Sequence, residues 1–204
     1  NTTGDRNVAV GSLALDANTT SDGNTAVGFQ ALTTNTTAES NTAVGVSSLS
    51  LNTTGAANVA VGTNALKINT TANDNVAIGH DALQANTTGA LNTAVGTSAL
   101  NANTTAASNQ AFGRRALYNN TTGTENNAFG YLALLSNTTG DFNVGVGVNA
   151  LAANTTADNN VAVGTAALAT NISGTRNTAV GTNAGKLNTA SDNVAIGFNA
   201  LDTN

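Results

Sequence analysis

The chain is a tandem array of one short unit, and the period of that unit restricts the fold more than any single residue does. Units of 17 residues start at Asn1, Asn18, Asn35, Asn52, Asn69, Asn86, Asn103, Asn120, Asn137, Asn154, Asn171 and Asn188, so twelve of them account for all 204 residues. The sixth reads NTTGALNTAVGTSALNA (residues 86–102). The twelfth, NTASDNVAIGFNALDTN, lacks one residue in its front half and carries one more at its end, which slips its register by one. A unit this short has no room for a helix hairpin, but it holds two or three short strands and two turns. The expected fold class is therefore all-β: a parallel β-solenoid with one coil per unit, forming a single domain over residues 1–204. Coils stacked at the strand spacing of about 4.8 Å would make a rod on the order of 55–60 Å long.

In a stack of like coils every position becomes a ladder of like residues. Numbering the unit 1 to 17, position 1 is Asn (Asn86 in the sixth unit) and position 11 is Gly (Gly96) in all twelve, counting Gly197 after the slip. An unvarying glycine marks a turn that needs positive φ or close backbone approach, and Asn also tolerates the left-handed region. A second Asn recurs at position 7 (Asn92), just before NVAV or NTAV, which reads as a strand of about four residues. Ladders of buried Asn at positions 1 and 7 are expected to bond amide to amide along the stack. Position 10 is Val, Ile or Phe (Val95, Ile78, Phe112, Phe129), and position 15 is Leu (Leu100) except at Gly185. These two ladders are the expected core. Position 14 is Ala (Ala99) except at Ser48, and position 9 is Ala (Ala94) except at Gly145. In a strand, position 9 points away from position 10. The constant small residue there implies close packing against either the far wall of the coil or a second chain. An interior already filled by the Val and Leu ladders favours the second chain.

The motif N-[VT]-A-[VI]-G-x-x-A-L, carried in the sixth unit by Asn92, Ala94, Val95, Gly96, Ala99 and Leu100, resembles the head repeats of trimeric autotransporter adhesins. It is also similar to repeats in phage and algal-virus tail-fibre proteins. The resemblance covers the whole chain. It implies a left-handed parallel β-roll, three chains packed side by side through small and aliphatic residues, and a place outside the cell, on a cell surface or on a virion. It speaks to scaffold rather than ligand, because that family uses one scaffold for many binding activities. The adhesin repeat is shorter, so the NTT-containing arc makes a wider coil in this chain.

Composition narrows the function classes. Charged residues are 8% of the chain, against roughly 25% in ordinary soluble domains, and Pro, Cys, Met and Trp are absent. Six Lys and Arg within a net charge of −5 make no basic stripe, so nucleic acid is not an expected partner. No apolar run approaches the ~20 residues that membrane insertion needs. No signal-peptide pattern is visible, and no disulfide is possible. The lone histidine, His80, has no second His or Cys to join it. Acids, bases and nucleophiles do not recur in a converging pattern, so neither an enzyme nor a cofactor or metal is expected. Position 5 is acidic in half the units (Asp5, Asp22, Glu39, Asp141, Asp158, Asp192), without the Gly/Asp-rich run of calcium-binding rolls, and reads as solvated turn carboxylates.

Three surface features remain. The triplet NTT or NIS opens the first eleven units as an N-glycosylation sequon, making Asn1, Asn18, Asn35 and Asn52 candidate acceptors; a turn Asn followed by strand Thr is the plainer alternative. Stacked Thr ranks raise ice binding, but the two Thr of NTT are adjacent and point opposite ways in an extended strand. Units seven and eight carry Phe112, Arg114, Arg115, Tyr118, Phe129 and Tyr131, a candidate binding patch for glycan or protein, with Phe over Phe along the ladder. The first unit resembles an interior one and the last differs by a slip, so both ends lack polar caps. That predicts either end-to-end stacking or a piece of a longer array. The expected function is an extracellular structural fibre or filament subunit, self-assembling as a trimer or end to end, with an adhesive role. The alternative is a binding module: a glycan-binding adhesin head or, second to it, an ice-binding protein.

Overall fold

The computed structural model describes residues 2–201. It is a β-solenoid with no α-helix among the described residues. Each coil contributes one three-residue strand: β1 Val8–Val10, β2 Thr25–Val27, β3 Thr42–Val44, β4 Val59–Val61, β5 Val76–Ile78, β6 Thr93–Val95, β7 Gln110–Phe112, β8 Asn127–Phe129, β9 Val144–Val146, β10 Val161–Val163, β11 Thr178–Val180 and β12 Val194–Ile196. They form one parallel sheet in sequence order. Register is equal throughout, position on like position, as in Thr93↔Gln110, Ala94↔Ala111 and Val95↔Phe112.

One regular strand per coil is fewer than the two or three expected, because the rest of the unit turns too sharply to pleat. Its backbone nevertheless bonds from coil to coil. In the sixth coil Gly96 and Ser98 donate N–H to the carbonyls of Ile78 and His80 in the coil before, at 2.8 and 2.9 Å. Leu100 and Ala102 donate to Ala116 and Tyr118 in the coil after, at 3.0 and 3.1 Å. Two tight turns close within the coil, Ala99 N–H to Gly96 carbonyl and Asn103 N–H to Leu100 carbonyl, both at 3.2 Å.

The left-handed backbone does not sit at the ladder asparagines of positions 1 and 7. Glycines at position 11 have φ from +121° to +142°, as expected of an unvarying glycine. A β-carbon on Gly96 would lie 2.7 Å from the Gly113 carbonyl group, so close approach of stacked backbones is a second reason for glycine there. The other positive φ values fall at positions 6, 13 and 15, in the sixth coil Leu91 (62°), Ser98 (57°) and Leu100 (50°). Asn86 and Asn92 are not among them. Their ladders are fixed by side-chain bonding instead.

The interior has an amide half and an apolar half. Ala94, Ala99 and Leu100 are fully buried, and their equivalents form one continuous apolar cluster along the rod. Val95 is only partly buried, and Ile78, Phe112, Phe129 and Val163 at its position are exposed. The expected sense of the strand is therefore reversed: position 9 faces the core and position 10 faces outward. The coil is narrower than a Val-plus-Leu interior requires. Leucine at position 15 fills it, leaving room for nothing larger than a methyl group opposite. A β-carbon on Gly145 would already meet Leu134 Cγ and the Ala150 carbonyl at 3.3 Å. Constant Ala at position 9 thus reflects the far wall of the same coil, not a second chain. Ser48 fits an Ala position because its hydroxyl donates to the Ala60 carbonyl at 2.8 Å.

In the amide half Asn86, Gly89 and Asn92 are buried. Asn86 Nδ2 donates to Asn69 Oδ1 in the preceding coil at 3.0 Å, and Asn103 Nδ2 donates to Asn86 Oδ1 at 2.9 Å. The position-1 ladder therefore runs amide to amide as expected. The position-7 ladder also bonds amide to amide at some steps, as from Asn75 Nδ2 to Asn58 Oδ1 at 3.2 Å, and adds backbone partners at each: Asn92 Oδ1 accepts the backbone N–H of Asn109 at 3.0 Å, while Asn92 Nδ2 donates to the Ala106 carbonyl at 2.8 Å. That carbonyl also accepts Asn103 Nδ2 at 3.0 Å. Position 4, inconspicuous in the sequence, is thus the node that joins both ladders. Its residues are small (Ser21, Ala38, Gly55, Ala72, Gly89, Ala106) because two asparagine side chains crowd the same carbonyl.

Candidate functional surface

Among the described residues no group of three or more His, Cys, Asp or Glu side chains is placed to hold a metal ion. His80 Nδ1 lies 3.0 Å from Asp81 Oδ2 on the surface. The Asp81 carboxylate also accepts Asn64 Nδ2 and Gln84 Nε2, at 3.0 and 3.2 Å, which braces coils four and five against each other. A shallow cleft of about 260 Å³ lies over coils two to four, lined by Gln30, Thr33, Thr34, Ser47, Ser50, Leu51 and Lys67.

The position-5 carboxylates are not simply solvated. Asp22 Oδ1 accepts the backbone N–H of Asp5 at 2.7 Å, and Asp141 Oδ1 and Asp158 Oδ1 accept those of Thr124 and Asp141 at 2.6 and 2.8 Å. Each closes an amide that the turn would leave open. Asp192 instead pairs with Arg176 at 2.6 and 2.8 Å. The hydrogen bond from that guanidinium holds the Asp192 carboxyl below its ordinary value, and the same bond raises Arg176.

Burial closes the sequon asparagines to a glycan in this fold. Asn18, Asn35 and Asn52 are buried, and their side-chain amides bond to the Ser21, Ala38 and Gly55 carbonyls at 3.2, 2.9 and 2.8 Å. Asn1 lies outside the described residues. Thr at position 2 spends its hydroxyl on the next coil, as in Thr87 Oγ1 to Thr104 carbonyl at 2.9 Å, which leaves no free rank there to order water.

What faces solvent in a regular array is the outer side of the sheet. Positions 8 and 10 both point off it, giving two ranks about 7 Å apart that run some 50 Å along twelve strands. Position 8 is Thr or Val in ten coils, and position 10 is aliphatic in ten. This is an apolar face on which side chains repeat at strand spacing.

Coils seven and eight interrupt it with the aromatic and arginine residues that stand out in the sequence. Phe112 and Phe129 have ring centroids 4.9 Å apart and planes within 5° of parallel, so the expected stacking is present. The Arg114 guanidinium lies 5.6 Å from the Tyr131 ring centroid, with Nη1 3.3 Å from its hydroxyl. The Arg115 guanidinium lies 5.4 Å from the Tyr118 ring centroid. Gln110 and Asn127 flank the phenylalanines at position 8 and were missed as members of the patch on sequence grounds. The departure of both from Thr or Val was the signal that could have found them.

The sequence matches no protein-family model and no curated protein, and the fold matches no solved structure.

Proposed function

We propose that this protein is a structural rod of a fibre outside the cell, on a cell or virion surface, and that it associates side by side with further copies of itself through the outer face of its sheet. The observation that carries this reading is the double row of Val, Ile and Thr side chains that positions 8 and 10 turn outward in coils one to six and nine to twelve, on either side of the aromatic patch. Two ranks about 7 Å apart and some 50 Å long outline about 350 Å². That area is within the range of the largest apolar patches on monomers, which often mark interaction sites, and it becomes part of an interface of roughly 800 Å² per partner once the flanking positions are covered as well. A second copy is the occupant whose repeat spacing matches the face by construction. Placement outside the cell rests on the resemblance of N-[VT]-A-[VI]-G-x-x-A-L to adhesin and tail-fibre repeats, and an adhesive role belongs to the same reading. No enzymatic step enters it.

Sedimentation velocity at micromolar concentration tests the association. The wild-type chain is expected as a dimer or trimer. The variant Val61→Lys/Val95→Lys/Val163→Lys, which spreads three charges along the outer rank, is expected as a folded monomer. A wild-type chain that is monomeric and folded at these concentrations would sink the reading.

A further inference from the structure

Coils seven and eight depart from the repeat together at two neighbouring outward positions. Position 8, elsewhere Thr or Val, becomes Gln110 and Asn127, and position 10, elsewhere Val or Ile, becomes Phe112 and Phe129; the variable position 12 beside them holds Arg114 and Tyr131. Core packing does not account for the change, since Phe112, Phe129 and Tyr131 remain 37%, 40% and 43% exposed.

The ring separation equals the strand spacing, so the phenylalanines can be parallel only by stacking face to face along the rod. They form a ridge. Val95 pairs with Phe112 on one side and Val146 with Phe129 on the other, so at each end one ring face stands as a wall above a lower aliphatic floor. Beside the ridge, the Gln110 carboxamide has no hydrogen-bond partner among the described residues, and Asn127 Nδ2 reaches only the Glu125 carbonyl at 3.5 Å. Arg6 and Arg176 pair with Asp22 and Asp192, whereas neither Arg114 nor Arg115 pairs with a carboxylate among the described residues. Across coils six to eight the only acidic residue is Glu125, two residues before Asn127, against the two cations Arg114 and Arg115, in a chain of net charge −5.

We propose that this patch binds an acidic saccharide, a pyranose bearing a carboxylate. The apolar C–H face of the sugar lies against the phenylalanine wall, its hydroxyls exchange hydrogen bonds with Gln110 and Asn127, and its carboxylate meets Arg114. An exposed aromatic face, free amides and an unpaired guanidinium match the three surfaces of such a ring: apolar face, hydroxyl rim and charge. The site gives the adhesive part of the proposed function a ligand class, and it rests on that part alone.

The test uses the whole chain with fluorescently labelled oligogalacturonate and, for comparison, a neutral oligoglucose of equal length, followed by anisotropy. Wild-type protein is expected to bind the acidic oligomer, more weakly as salt rises, and the neutral one at least tenfold less well. Phe112→Val/Phe129→Val restores the repeat's own residue, so the coils keep their packing; it is expected to lose at least tenfold in affinity. Arg114→Thr is expected to lose both affinity and salt dependence. Phe29→Thr, an exposed position-12 residue in coil two, is expected to bind as wild type. Equal binding of the neutral oligomer, retained binding by the double variant, loss in Phe29→Thr, or no wild-type binding at millimolar oligomer would each overturn the assignment. Rods that associate but bind no galacturonate remove this site and leave the structural reading intact. Monomeric rods that bind it do the reverse.

Discussion

Asn92 illustrates how a polar residue serves as core. Its side-chain oxygen accepts the Asn109 N–H, its amide donates to the Ala106 carbonyl, and its own N–H reaches Asn75 Oδ1 at 2.9 Å. Asn92→Ala removes both side-chain bonds and strands a buried N–H. The expected cost is about 1–3 kcal/mol, read as a lower urea midpoint with circular dichroism unchanged in native buffer. Gly96→Ala is expected to be worse, since its φ of +132° suits only glycine and its β-carbon would lie 2.7 Å from the Gly113 carbonyl group. Loss of soluble folded protein is the expected outcome, and Gly145→Ala is the contrast. Every other position-9 residue is Ala, and the gap of 3.3 Å at Gly145 needs only a slight shift of Leu134. A gain of roughly 0.5–1 kcal/mol is expected from replacing a strand glycine. A lower midpoint for Gly145→Ala would mean that the interior at position 9 is not shaped to hold a methyl group.

At the level of the strand, the key fact is which side is inside. Leu100→Ala is expected to cost about 2–5 kcal/mol. Val95→Ala should cost well under half of that, because Val95 points out of the coil; similar values for the two would return position 10 to the core. Alternation along NTAV was legible in sequence, as were the amide ladder of Asn86, the turn at Gly96 and the core place of Leu100. The sense of the alternation was not, because Ala94 and Val95 are both apolar and residue type alone favours burying the larger. What decided it was coil width, a tertiary quantity set by left-handed backbone at Leu91, Ser98 and Leu100. None of these three residue types advertises that conformation. The coil-seven and coil-eight patch was visible through its aromatics, whereas Gln110 and Asn127 acquire meaning only once position 8 is known to face outward. Between coils eleven and twelve, the Arg176 to Asp192 pair adds a pH-dependent joint. Because the folded Asp192 carboxyl is held low, its contribution is present above the ordinary carboxylate range and lost as pH falls through the folded value. Amide exchange in coil twelve is expected to quicken on acidification in wild type and to show no such step in Asp192→Asn.

For the molecule as a whole, length is set by unit count. Deleting residues 86–102 removes one coil and joins two equivalent neighbours, so the fold should persist with a rod shorter by about 4.8 Å, measurable by small-angle scattering. A collapse of the fold on deletion would show that coils are not interchangeable. The near-identical set of bonds between successive coils also has a mechanical meaning. Pulled by its two termini, the chain has no reason to give way all at once. Each coil that peels off frees 17 residues, which extend to roughly 56–61 Å, and presents the next coil with the same set of bonds. Under an optical trap the rod would unwind like thread from a spool, in even steps at nearly constant tension. Such a material absorbs a sudden load by lengthening rather than by snapping.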